Sequence, residues 1–76
     1  MNKLRRKALE KLNEVIAEAK ERLEEIYNEE NDYLENIPEN LQGSERYEKA
    51  ESATYAIGEA IEALDSTIDY IEEAME

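Results

Sequence analysis

From Leu9 onward, the apolar residues of the first half of the chain recur at alternating steps of three and four. They run Leu9, Leu12, Ile16, Ala19, Leu23, Ile26, then Tyr33 and Ile37, with Glu30 standing where the next apolar residue belongs. The second half repeats the pattern without a slip, through Tyr47, Ala50, Thr54, Ile57, Ile61, Leu64, Ile68, Ile71 and Met75. Such steps return residues to one face of an α-helix and mark a seam laid against another helix. A disordered acidic tail has no reason to keep this spacing. The predicted fold class is therefore all-α, with helices over residues 3–36 and 44–75 and a turn over 37–43, all in one domain of 76 residues. At ~1.5 Å of rise per residue each helix is roughly 50 Å long. The short connector folds them back as an antiparallel, coiled-coil-like two-helix hairpin.

Charge placement favours the same pairing. Lys3, Arg5, Arg6, Lys7 and Lys11 crowd the start of the first helix, and Asp65, Asp69, Glu72, Glu73 and Glu76 crowd the end of the second. Each cluster opposes the dipole of its own helix, and an antiparallel hairpin sets the two side by side. Exposed pairs contribute only ~0–1 kcal/mol each, so they set orientation more than stability. The rival reading of the first cluster is a basic tail for acidic partners.

A second stripe runs beside the seam of the second helix: Ala53, Ala56, Ala60, Ala63, Thr67, Tyr70 and Ala74. Leu4, Ala8 and Val15 broaden the first helix in a similar way. One hairpin partner covers one seam. A chain this short leaves a marginal core, and without cysteine it has no disulfide to support it. These flanks predict a homodimeric four-helix bundle with the alanine stripe as dimer seam. The alternative is that alanine merely favours helix on a half-exposed face.

The residue types argue against catalysis. Histidine and cysteine are absent, which removes the usual general base and the thiolate and imidazole metal ligands. Paired carboxylates such as Glu24 and Glu25 are consecutive on a solvated helix, with neither the burial nor the neighbour that shifts a pKa. The segment "ENDYLENIPENL" has oxygen ligands but lacks the EF-hand glycine. Phosphate-cradling glycine loops are missing. No enzyme activity, cofactor or metal is expected. Glu30 reads either as a polar layer near Lys49, Ala50 and Thr54 that fixes register, or as a side chain leaning out to solvent.

Aspartate and glutamate number 21 against 9 lysines and arginines, for a net charge of −12. Such a surface repels nucleic acid and anionic lipid and selects basic proteins, including nucleic-acid-binding ones. No apolar run approaches a membrane span, and "MNKLRRKALEKL" lacks the apolar core of a signal peptide, so a cytoplasmic protein is expected. Glu14, Glu18, Glu21, Glu25, Asp32 and Glu35 keep to one outward face of the first helix and form the first candidate binding surface. A net −12 over ~50 Å is one charge per ~4 Å, and a side-by-side dimer reaches ~2 Å, against ~1.7 Å for duplex DNA. A dimer could thus imitate a short duplex. Solubility alone is the bland alternative.

The turn supplies the second candidate surface. Pro38 ends the first helix near Asn36, "PENL" suits a single helical turn, Gly43 suits positive φ, and Ser44 suits an N-cap. Ile37 and Leu41 are expected to fold inward against Tyr33 and Tyr47 as a plug, leaving Asn36, Asn40 and Gln42 as a polar tip. The turn with the start of the second helix, "NIPENLQGSERYEKAE" (36–51), and the alanine-rich "AIGEAIEALDSTIDYIEEA" after it resemble short acidic helical-hairpin proteins encoded by phages and prophages of Gram-positive bacteria. The resemblance implies a mobile-element setting in a bacterial cytoplasm and a role in binding a host or phage protein, defence systems included. It supplies no functional residues. The expected function is a non-enzymatic acidic protein-binding module, acting as a DNA-mimic-like inhibitor of a host protein. The alternative is an assembly adaptor that uses its helical seams.

Overall fold

The computed structural model describes residues 1–76. Two helices, α1 (Lys3–Glu35) and α2 (Glu45–Met75), flank a single 3-10 turn at Glu39–Leu41. They pack antiparallel into a rod of 59 × 15 × 13 Å. Asn2 starts α1, its side chain accepting from the Arg5 amide at 2.8 Å. Ser44 starts α2, with its Oγ accepting from the Tyr47 amide at 3.3 Å. Each cap satisfies one amide that the first helical turn leaves without a partner. Pro38 sits at φ −55° and ψ 144°, an extended conformation in which α1 cannot continue.

The turn departs from the sequence expectation at Gly43, because no residue in the chain takes positive φ. The turn reverses the chain with negative φ throughout, so glycine has no steric duty there. A Cβ at Gly43 would meet nothing within 4 Å. Gly43→Ala is therefore expected to leave stability unchanged or to raise it by about 0.4–1 kcal/mol, through a less flexible unfolded chain. At Gly58 a Cβ would lie 3.4 Å from the Tyr27 ring. Alanine fits that contact and gains helix propensity of up to about 1 kcal/mol. Gly58→Leu should expel Tyr27 and lower the melting temperature; thermal unfolding of the three variants checks all of this.

The seam of α2 lies where the periodicity puts it. Tyr47, Ala50, Thr54, Ile57, Ile61, Leu64, Ile68, Ile71 and Met75 are all buried or half-buried. The α1 seam is rotated by one residue from expectation. Its half-buried positions run Arg6, Leu9, Asn13, Ile16, Lys20, Leu23, Tyr27, Glu30, Leu34, with Asn31 beside them. Leu9, Ile16, Leu23 and Glu30 are common to both registers. Asn13, Lys20, Tyr27 and Leu34 replace Leu12, Ala19, Ile26 and Tyr33, which are exposed.

Polar bonds to α2 favour this rotation. Arg6 Nε donates to the Met75 carbonyl at 2.9 Å, and Asn13 Nδ2 donates to the Ile68 carbonyl at 3.3 Å. Lys20 Nζ meets Asp65 Oδ1 at 2.6 Å. The three donors are seven residues apart and fix orientation and register together. Arg6 also supplies a cation to the α2 C-terminus, where the last turn has no basic residue of its own. The expected mass of terminal ion pairs does not form: Lys20–Asp65 is the only ion pair between the helices. Glu30 makes no ion pair with Lys49, which pairs with Glu45 instead. Thr54 turns its hydroxyl to the Ala50 carbonyl of its own helix, at 2.8 Å, so no polar layer joins it to Glu30.

The hydrogen bond and charge of Asp65 hold Lys20 above the ordinary lysine value of 10.5. A folded-state pKa above the unfolded one stabilises fully below the unfolded value and is lost as pH rises through the folded value. The melting-temperature gap between the wild type and Lys20→Gln should therefore be constant near neutrality and close above about pH 10.5.

Only Ala50 and Thr54 are buried. The solvent-accessible surface is 6051 Å², against about 4,800 Å² for a compact monomer of 8.8 kDa. The hairpin thus hides only about half of the surface its unfolded chain exposes, less than a shorter compact domain does.

Candidate protein-binding surfaces

The α1 and α2 seams divide the remaining residues by a simple rule. The residue just before a seam position is mostly apolar. In α1 these are Ala8, Leu12, Val15, Ala19, Ile26 and Tyr33, interrupted by Arg5, Arg22 and Glu29. In α2 they are Ala53, Ala56, Ala60, Ala63, Thr67, Tyr70 and Ala74, after the basic Arg46 and Lys49 near its start. The residue just after a seam position is mostly acidic: Glu10, Glu14, Glu21, Glu24 and Glu35 in α1, and Glu48, Glu51, Glu62, Asp65, Asp69, Glu72 and Glu76 in α2.

One residue is a rotation of about 100° around a helix. Two antiparallel right-handed helices that face each other bring backward rotations to one side and forward rotations to the other. The hairpin is therefore a two-sided plate, apolar on one side and acidic on the other. Lys20 and Asp65 lie on the acidic side, as does Gly58 beside Tyr27.

On the apolar side, Leu12 is 53% exposed, Val15 58%, Ile26 45% and Tyr70 72%. All residues of the predicted dimer seam are exposed except Ala60, which is half-buried. Sequence periodicity found the α2 half of this face. In α1 it found Ala8 and Val15 but assigned Leu12, Ala19, Ile26 and Tyr33 to the hairpin interior. The available signal was the polar set Asn13 and Lys20, seven apart and beside the apolar stripe.

On the acidic side and the outer edge of α1, Glu14, Glu18, Glu21, Glu25, Asp32 and Glu35 are all exposed. None makes an ion pair. No group of three or more Asp, Glu, His or Cys side chains converges as a metal site. No helix is long and apolar enough to cross a membrane.

The turn is less of a plug than its sequence suggests. Ile37 and Tyr47 are half-buried, but Leu41 is 49% exposed. The short 3-10 turn does not reach far enough over the helix ends to bury it. A cavity of about 240 Å³ remains, lined by Tyr33, Asn36, Ile37, Leu41, Ser44 and Arg46 among others. Arg46 Nε donates to the Tyr33 hydroxyl, and its guanidinium carbon lies 5.6 Å from the ring centroid, tying α2 to the end of α1. Asn36 is not a free tip residue, since its amide donates to the Asp32 carbonyl at 2.7 Å. Asn40 and Gln42 remain exposed.

No family model matches the chain, and neither the curated proteins nor the solved structures contain a match to it.

Proposed function

We propose that the chain is a non-enzymatic protein-binding module that self-associates through its apolar side and offers its acidic sides to a basic protein. The observation that carries this reading is the segregation of apolar and acidic residues to opposite sides of one plate. A side that served solubility alone would need no matching apolar side.

Self-association into a four-helix bundle fits the surface excess. The chain exposes about 1,300 Å² more than a compact protein of its mass. Two copies burying that much each would reach about 2,600 Å², within the range of obligate homodimers. Both acidic sides would then face outward, at opposite sides of the bundle.

The expected target is a basic, nucleic-acid-binding protein of a bacterial host, in keeping with the phage-like turn. Duplex mimicry in the strict sense draws less support. Over 59 Å, a dimer carries about one net charge per 2.5 Å, sparser than the ~1.7 Å of duplex DNA. The test is binding to a panel of the host's DNA-binding proteins across a salt series. Steep loss of binding with salt, and competition by duplex DNA, support the acidic surface. Salt-independent binding removes it in favour of the adaptor reading, which the half-exposed Leu41 beside the turn cavity favours.

A further inference from the structure

Turning α1 about its own axis would exchange one row of its seam and keep the other. Leu9, Ile16, Leu23 and Glu30 belong both to the seam of the structure and to the one that apolar spacing marks. The second row of the structure's seam is Arg6, Asn13, Lys20, Tyr27 and Leu34. The row that would replace it is Arg5, Leu12, Ala19, Ile26 and Tyr33, each one residue earlier. The shared row stays in the seam throughout, so the two seatings differ by a turn of only about 50°, half the angle between neighbouring residues.

The exchange is close to even at both ends of the helix. Arg5 stands for Arg6 at one end, and Ile26 with Tyr33 stands for Tyr27 with Leu34 at the other. The rows differ in kind only at the two middle steps, Leu12 against Asn13 and Ala19 against Lys20. There the present seating gains two polar contacts, Asn13 Nδ2 to the Ile68 carbonyl at 3.3 Å and Lys20 Nζ to Asp65 at 2.6 Å. It also leaves Asn13 Oδ1 buried without a hydrogen-bond partner, and it leaves Leu12 53% and Ile26 45% exposed. The other seating reverses each of these. Asn13 and Lys20 return to water, and Leu12 and Ile26 go against α2. Little interlocking opposes the turn, since Ala50 and Thr54 are the only buried residues.

We infer that α1 is a rotary switch with two seats on α2: the seat seen here presents Leu12, Ala19, Ile26 and Tyr33 on the apolar side, and a turn of about 50° withdraws them into the seam. The turn stands on the hairpin alone. Its use, offering or hiding the apolar side, rests on the self-association proposed above. A second copy that covers this side holds the present seat, because only there are those side chains outside. At the turn end Arg46 holds Tyr33 outside through its hydroxyl, a contact the turn breaks.

Because the chain has no cysteine, a disulfide between α1 and α2 of one chain reports the seat. Asn13 reaches Ile68 and Lys20 reaches Asp65, which sets residue 19 level with Leu64 of the α2 seam. Ala19→Cys with Leu64→Cys is therefore the reporter, its thiols facing each other only after the turn. Asn13→Asp with Lys20→Glu drives the turn, by placing two acids in the present seam, one of them against Asp65. Leu23→Cys with Ile61→Cys, on the row common to both seats, is the control. In a glutathione buffer the reporter disulfide, read from single-chain products, should form roughly ten times faster with the two acids than without. The control rate should not change, and circular dichroism should stay helical. An unchanged reporter rate, a control that accelerates equally, or loss of helix each overturns the switch. Sedimentation tests its use: the two-acid variant should be a single chain at concentrations where the parent is a dimer. A two-acid variant that turns and still dimerises keeps the switch and removes that use. A parent that is a single chain throughout removes self-association, and the disulfide rates still decide the turn.

Discussion

Replacing both Leu12 and Ile26 with glutamate should abolish self-association while leaving the seam between α1 and α2 intact. Both side chains are about half exposed on the single hairpin, and neither is among the half-buried positions facing α2. Burying a leucine or isoleucine fully is worth roughly 1.5–3 kcal/mol, and a two-fold interface loses each residue twice. Glutamate adds the cost of burying a charge without a partner. Even a loss of about 4 kcal/mol weakens the dimer about 1,000-fold. The wild type should melt at a temperature that rises with protein concentration; the variant should melt lower, with no such dependence. Had these residues filled the hairpin interior, as their own spacing suggests, the double variant would unfold the hairpin itself. Sedimentation and circular dichroism at two concentrations tell these outcomes apart.

Ala50→Leu should damage the other interface. Ala50 is 7% exposed and Thr54 6%, and these are the two places where α1 and α2 close over small side chains. Three extra carbons there force the helices apart or a neighbour out of its rotamer, which costs typically about 1–3 kcal/mol. A domain of this size has roughly 4–11 kcal/mol in total. A fall of roughly 5–20 °C in melting temperature is therefore expected. The apolar side is one residue removed from this seam, so material that stays folded should still sediment as a dimer. Ala53→Leu, at an exposed position beside it, should leave the α1–α2 seam undisturbed.

These two variants also mark where the sequence could be read and where it could not. α2 was legible because a single 3-4 register holds its apolar residues, and the acids and alanines on either side leave no second choice. α1 offers two registers that share Leu9, Ile16, Leu23 and Glu30. Hydrophobicity alone favours the one with Leu12, Ala19 and Ile26. The fold takes the other, because Arg6, Asn13 and Lys20 find partners on α2 that no local pattern reveals. The choice turns the more apolar stripe outward, where the proposed second copy would cover it. The acidic side was half legible. Outward glutamates need no partner to be recognised, and those of α1 were found. Of the matching acids of α2, only Asp65, Asp69, Glu72 and Glu76 stand out in the sequence, and there as a cluster at the helix end; Glu48, Glu51 and Glu62 do not. At the turn, the Ser44 cap and the Pro38 stop come from local chemistry. Leu41 and Gly43 depend on how the 3-10 turn sits, which local chemistry leaves open.

The most direct measurement is sedimentation equilibrium of the wild-type chain across a concentration series at moderate salt. A mass approaching twice 8.8 kDa in the micromolar range, falling to a single chain on dilution, is the expected result. A mass of one chain throughout, up to hundreds of micromolar, would contradict an apolar side built for a second copy.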